Sequence, residues 1–336
     1  ALNNTPLLGA PLKKIIKTSK SALKGVLYHS TMFEDFGFIY LGPVDGHNLE
    51  ELEKTLTVAK NLKKPVFVHV NTVKGKGFSP AEKNPGAFHG LSKFELQTGN
   101  PEVISEDSFS AVFGKELSRL AYSDKRLCAV TAAMKYGTGL QYFHNEHKSR
   151  FFDVGIAEQH AITFSAGLAK TGMLPVAAIY SSFLQRGYDQ IIHDCSIDKI
   201  HIVIGIDRAG IVGEDGETHQ GLFDVAFLTS IPGMTLFSPC CYEELKLCLS
   251  EALYDIDGVV GIRYPRGNDC SSFDKTELNT DFLFKNNGSD TLLITYGRIY
   301  NELIKAEALL KDNNVVCDTL KLTKIFPFSE KVIDLI

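Results

Sequence analysis

Three arginines, an aspartate and a histidine stand where the chain leaves three apolar runs. Arg186 follows LPVAAIYSSFLQ, Arg208, Asp215 and His219 follow IHIVIGID, and Arg266 follows VVGIRYP. Arginines grip phosphate oxygens with forked, charge-assisted hydrogen bonds, and a His with an Asp suits proton handling or hydroxyl recognition. Glu158 lies in DVGIAEQHAITFSAGLAKTG, a segment with little other polar surface. A carboxylate buried there is costly unless a specific partner receives it. Singly, each group has an ordinary structural account. An arginine at a strand end forms a surface salt bridge, GIVGEDG is a turn without phosphate-cradling spacing, and a lone histidine is a satisfied structural residue. A glutamate in a helix's first turn is favoured by the macrodipole. Together they read as the site of an α/β enzyme acting on a phosphorylated small molecule.

Such groups need strand ends to hold them. IYLGPVDGHNLEELEKTLTVAKNLKKPVFVHVNTVKGKG reads as strand, helix and buried strand, with Asn48 as N-cap, Glu51 completing a capping box, and a Gly- and Lys-rich loop behind. After the polar stretch QTGNPEVISED, strands LCAVTAA, RFFDVG, LPVAAIYSS, KIHIVIGID, MTLFSP and VVGIRYP alternate with helices such as SFSAVFGKELSRLA, RGYDQIIHDCS and YEELKLCLSEAL. A further run holds strand TLLITYG, helix NELIKAEALL and strand VVCDTLKL. The reading is three consecutive α/β units with mainly parallel sheets, over residues 1–98, 99–274 and 275–336, the first and third incomplete.

Composition narrows the partners. Among 336 residues, 44% hydrophobic, 35 Lys+Arg against 40 Asp+Glu give a net charge of −5. No basic stripe argues for nucleic acid, and runs such as IHIVIGI are too short to span a bilayer. Seven cysteines with no CxxC spacing read as reduced thiols, which places the protein in the cytoplasm, with a plastid left open. HNEH, residues 144–147, reads as a solvated helix end and not a metal pair. The chain begins at Ala1 and stops within the apolar run of EKVIDLI, so a piece of a longer chain is expected.

Six motifs then occur in order: LGPVDGHN, KGKGFSPAEKNPGAFHG, DVGIAEQHAITFSAGLA, YSSFLQRGYDQIIHD, IDRAGIVGEDGETHQG and RYPRG. Over nearly the whole chain from about Leu8, they resemble the 1-deoxy-D-xylulose-5-phosphate synthase family of transketolase-like thiamine diphosphate enzymes. Transketolases themselves and 2-oxoacid dehydrogenase beta subunits share the Glu-bearing helix, but are not expected to carry DRAGIVGEDGETHQG together with YPRG. The resemblance implies that Glu158 hydrogen-bonds the N1′ nitrogen of the cofactor's aminopyrimidine, with burial helping the acid stay protonated. It implies that Phe183 stacks on the pyrimidine and that Tyr180 stands beside the bound intermediate. Arg208 and Arg266 match the pair gripping the phosphate of D-glyceraldehyde 3-phosphate. Arg186, Asp215 and His219 match contacts to hydroxyl, carboxylate and carbonyl oxygens, and His89 an active-site histidine. Glu158, His219, His89 and Asp215 are thereby the catalytic candidates.

The implied reaction joins pyruvate and D-glyceraldehyde 3-phosphate, with loss of carbon dioxide, for isoprenoid, thiamine and pyridoxal phosphate synthesis. A homodimer is implied as well. The sequence departs from the family in one respect. The GDG motif and downstream asparagine that hold Mg2+ and the diphosphate have no counterpart here, and GEDG at 213–216 does not replace them. No metal ligand is therefore assigned, and the cofactor's Mg2+ is expected to be held upstream. Two alternatives stay open, a split subunit of a transketolase-like or 2-oxoacid dehydrogenase-type enzyme and a non-catalytic remnant.

Overall fold

The computed structural model describes residues 32–89, 93–100, 107–271 and 278–336. They fall into two compact units that divide at residues 103/104, shortly after the expected boundary at 98/99. The expected boundary at 274/275 lies outside the described residues.

In the first unit, β1 (Ile39–Asp45) and β2 (Val66–Asn71) pair in parallel, joined by α1 (Leu49–Asn61). Parallel neighbours cannot be closed by a tight turn, so a helix makes the crossover. The Asn48 side chain caps α1 by accepting from the Glu51 N–H at 3.2 Å. The reciprocal half of a capping box is replaced, because the Asn48 N–H donates to the Asp45 carbonyl at 3.1 Å. β2 reads as buried in the sequence, but its first four residues are half-buried and its last two exposed. Among the described residues β1 is its sheet neighbour and α1 has no buried residue, so little covers it.

In the second unit, β3 (Leu127–Thr131), β4 (Phe151–Asp153), β5 (Leu174–Tyr180), β6 (Ile202–Asp207), β7 (Thr235–Phe237) and β8 (Val259–Arg263) are all parallel, in the order β7-β8-β6-β5-β3-β4. Their apolar residues run continuously instead of alternating, because both faces are covered. On one face lie α2 (Phe109–Ser123) and α4 (Tyr242–Tyr254), and on the other α3 (Glu158–Lys170). Phe109, Phe113 and Leu117 of α2 recur four residues apart and are wholly buried. Each such side chain contributes about 1.5–3 kcal/mol on leaving water. Gly205 of β6 makes room for this helix, since a Cβ there would fall 2.5 Å from the Phe113 ring. The segment read as one helix, RGYDQIIHDCS, is a succession of 3-10, α and π turns from Gln185 to Ser196.

HNEH is also only partly as expected. His147 is buried, with Nε2 on the Ser118 carbonyl at 2.8 Å and Nδ1 on Arg150 at 3.1 Å. Arg150 draws it inward, because the same guanidinium donates to the carbonyls of Ala121, Asp124 and Leu127 and ties off the end of α2.

A separate small sheet pairs β11 (Asp318–Leu322) in parallel with β10 (Leu292–Tyr296) and antiparallel with β9 (Phe282–Lys285), beside α5 (Tyr300–Asp312). The chain then returns to the main sheet, where β12 (Lys324–Phe326) adds antiparallel to β7. Lys321 of β11 is buried against Glu244 of α4, whose carboxylate also accepts from Thr323 Oγ1 and the Cys240 N–H, both at 2.7 Å. Both carboxylate oxygens are satisfied, the condition for burying such a pair. All seven cysteines are free thiols, and Cys270 alone among them is exposed. Among the described residues no helix is long and apolar enough to cross a membrane.

Candidate functional site

The carboxyl ends of β5, β6 and β8 meet the start of α3, the edge where parallel sheets gather ligands. β5 ends at Tyr180, directly opposite Asp207 at the end of β6. Arg208 follows with φ 59°, a left-handed backbone uncommon for a non-glycine residue. Its guanidinium lies over the Tyr180 ring, 3.9 Å from the centroid. Nη1 donates to the Gly137 carbonyl at 2.6 Å and to Asp207 Oδ1 at 2.9 Å, while Nε donates to Asp215 Oδ2 at 3.3 Å. Asp215 also pairs with Arg266 at 3.4 Å, so one carboxylate stands between two guanidiniums. Gly137 must be glycine here, because a Cβ would overlap the Tyr180 hydroxyl at 1.6 Å.

The cluster continues through aromatic rings. Phe183 lies 5.7 Å from Tyr180 and 5.1 Å from His219, ring centre to ring centre. The Arg186 guanidinium is 5.1 Å from the Phe183 ring centre, and its Nη1 donates to Glu158 Oε1 at 2.8 Å. Glu158 is the first residue of α3 and is 2% exposed. Arg186 thus supplies the partner that the apolar helix does not.

Burial sets the electrostatics of this edge. It pushes the Asp207 carboxyl up to about 6 against the pull of Arg208. It pushes the Tyr180 phenol up to about 12, which keeps it a donor at neutral pH. Burial likewise holds Tyr264 well above the usual tyrosine range. Asp207 Oδ2, the Tyr264 hydroxyl, Ser181 Oγ and Ser182 Oγ are buried and make no hydrogen bond.

Every candidate of the second unit therefore falls in one connected cluster: Glu158, Tyr180, Phe183, Arg186, Arg208, Asp215, His219 and Arg266. The hydrogen bond of Arg186 goes to Glu158 within this cluster. His89 belongs to the first unit, where it lines a cavity of about 430 Å³ with Lys74, Gly75, Ala81, Pro85, Phe88 and Phe94. Lys74 Nζ stands 2.8 Å from His89 Nδ1. Lys74, Gly137, Asp207 and Tyr264 escaped the reading of the sequence. An acid ending an otherwise apolar strand, as in IVIGID, is the signal that could have found Asp207. Among the described residues, the group of possible metal ligands drawn within 4.8 Å is Cys241, Glu243 and Asp269. A thiol is not a ligand for Mg2+, which takes oxygens, so this group does not fit the ion.

Residues 106–270 match the family model described as the transketolase pyrimidine binding domain, and residues 1–72 match that of 1-deoxy-D-xylulose-5-phosphate synthase. The chain is 44% identical over 336 residues to the 1-deoxy-D-xylulose-5-phosphate synthase of Caldanaerobacter subterraneus subsp. tengcongensis, covering 99% of this chain and 54% of that protein. To the Clostridium tetani protein of the same name it is 41% identical over 339 residues, with the same coverage of both. Among solved structures, a split-gene transketolase described as an inactive beta4 tetramer superposes with a TM-score of 0.61 at 22% identity, over 68% of this chain and 75% of that one. A Pichia stipitis transketolase gives a TM-score of 0.59 at 13% identity, over 67% and 36%. These likenesses show a transketolase-like α/β fold. The chain spans about half the length of the curated relatives it matches. At 41–44% identity over 99% of its residues, this chain matches the 1-deoxy-D-xylulose-5-phosphate synthase family over the half of the family's length that it spans.

Proposed function

We propose that this chain carries the pyrimidine- and substrate-binding part of a thiamine diphosphate enzyme. The reaction joins pyruvate to D-glyceraldehyde 3-phosphate, releasing carbon dioxide and giving 1-deoxy-D-xylulose 5-phosphate. One observation carries the reading: a buried carboxylate, stacked aromatic rings and two arginines sharing an anion form one continuous cluster. Thiamine diphosphate, when bound, supplies the carbanion chemistry. Glu158 is the residue to hold the pyrimidine N1′, and Phe183 offers the ring face for stacking. Arg208 and Arg266 receive the substrate's phosphate. The Asp215 carboxylate already between them carries the sign of charge that a phosphate brings. His219 and the Tyr180 phenol lie among these groups and are the residues to meet the substrates' oxygens.

His89, a residue of the first unit, is assigned a catalytic role on the family resemblance alone. An ammonium can only donate, so Lys74 makes His89 Nδ1 the acceptor. With Nδ1 accepting, the ring's proton sits on Nε2, which is then the donor. The diphosphate and Mg2+ fall, in this reading, to the part of the family's length that the chain does not span. A homodimer is proposed on the same family basis.

The test is direct. The full-length protein, given pyruvate, D-glyceraldehyde 3-phosphate, thiamine diphosphate and Mg2+, should form 1-deoxy-D-xylulose 5-phosphate, followed by NMR. No product would overturn the reading. The likeness to a split-gene transketolase supports a second reading, a subunit completed by a separate chain. Activity that appears only on adding such a chain would favour it.

A further inference from the structure

The geometry points to Asp207 as the positioning residue of Arg208, an inference that rests on the phosphate role proposed for that arginine. Asp207 is wholly buried at the end of β6, and its Oδ1 accepts from Arg208 Nη1 at 2.9 Å. The second Nη1 hydrogen goes to the Gly137 carbonyl, Nε goes to Asp215, and one guanidinium face lies on Tyr180. These contacts lock the plane of the guanidinium and leave Nη2 as the edge for an incoming oxyanion. Arg208 holds this position in a left-handed backbone conformation. Without the Asp207 charge, Nη1 would be held by a lone carbonyl.

Asp207 does not look like a purely structural acid. Two other buried acids, Glu244 beside Lys321 and Asp224 beside Arg263, have both oxygens engaged. Asp207 Oδ2 has no partner within hydrogen-bond distance, although the Ser110 hydroxyl of α2 faces the carboxyl, and the Tyr264 hydroxyl is likewise buried and unpartnered. Burial raises its carboxyl to about 6, within reach of ordinary pH. The charged and titratable groups around it are Tyr180 from β5, Tyr264 after β8, and Arg208, Asp215 and Arg266 from the loops, with the Ser110 hydroxyl from α2. Both tyrosines stay neutral throughout that range.

The test compares Asp207→Asn and Arg208→Ala in the full-length protein. The readout is the ratio of kcat/KM for D-glyceraldehyde 3-phosphate to that for unphosphorylated D-glyceraldehyde. Arg208→Ala should lower this ratio tenfold or more. Asp207→Asn should lower it about tenfold, chiefly through the KM of the phosphorylated aldehyde, the worth of one charge-assisted hydrogen bond. The ratio should also fall in the unsubstituted protein below pH 6, more steeply than in Asp207→Asn, where only the substrate's own phosphate titrates. A ratio unchanged or raised by Asp207→Asn, with Arg208→Ala still lowering it, overturns this inference alone. An Arg208→Ala ratio equal to that of the parent removes the phosphate reading and the inference with it. Should Asp207→Asn fail to fold, the Arg208 Nε–H signal of the unsubstituted protein decides by NMR. A shift with a midpoint near pH 6 supports the inference, and a flat signal overturns it.

Discussion

Replacing Asp207 by asparagine should make the second unit more stable at pH 7.5, and less so at pH 5. Burial raises the folded carboxyl to about 6 from its ordinary 3.8. The folded protein therefore binds this proton more tightly than the unfolded chain, and the sign follows from linkage. Stability falls as pH rises from about 4 to about 6, and above that window the cost of the buried charge is fully present. The difference between the two values corresponds to about 3 kcal/mol. At pH 5 the folded acid is largely protonated and only about half of that cost is present. Asparagine keeps the shape without the charge. Its advantage over the parent should thus grow by about 1 kcal/mol between pH 5 and pH 7.5. Asp124 beside Arg126 and Asp198 beside Lys170 have depressed values, so they lose stability as pH falls, but equally in both proteins. Urea denaturation of parent and variant at the two pH values, extrapolated linearly to water, gives the difference. A variant less stable at pH 7.5, or a gap independent of pH, would refute the reasoning and mean that the Arg208 ion pair outweighs burial. A substitution that firms the fold while blunting phosphate discrimination marks a residue retained for activity.

Other outcomes follow from the same geometry. Glu158→Gln in the full-length protein should slow C–H exchange of the bound cofactor by ~10²–10⁴, the usual worth of a group acting in proton transfer. Exchange at the parent rate, read by NMR, would return Glu158 to the role of a helix-start carboxylate. Arg266→Ala should raise the KM for the phosphorylated aldehyde by about tenfold with little loss of stability, because its side chain is 33% exposed. Equal losses for phosphorylated and unphosphorylated aldehydes would count against it. Gly137→Ala places a methyl group on the Tyr180 hydroxyl and should destabilise by about 1–3 kcal/mol. Parent-like urea midpoints would show that the ring moves freely aside.

The main sheet was legible because its signals are local. Runs such as LCAVT and IVIGI need no partner to declare a buried parallel strand, and Phe109, Phe113 and Leu117 mark their helix face by spacing alone. β9 and β12, with FLFK and KIF, are too short to show a period, and they exist through pairing with strands distant in sequence. The coverage of β2 and the inward turn of His147 depend likewise on neighbours that no local pattern names.

The site divides along the same line. Parallel strands end at a common edge, so residues after β5, β6 and β8 had to converge, and the motifs placed them there. Which atom meets which is decided by distances of a few tenths of an ångström, and no motif carries that. Arg186 turns to Glu158, and Asp215 is the shared counter-ion of Arg208 and Arg266 as well as a match to a substrate-contacting residue. Asp207, unremarkable as the last letter of IVIGID, acquires its meaning from depth: a carboxylate with one oxygen on an arginine and the other on nothing. Motif order therefore points to the edge where the candidate residues gather, and how they pair there follows from burial and hydrogen-bond partners.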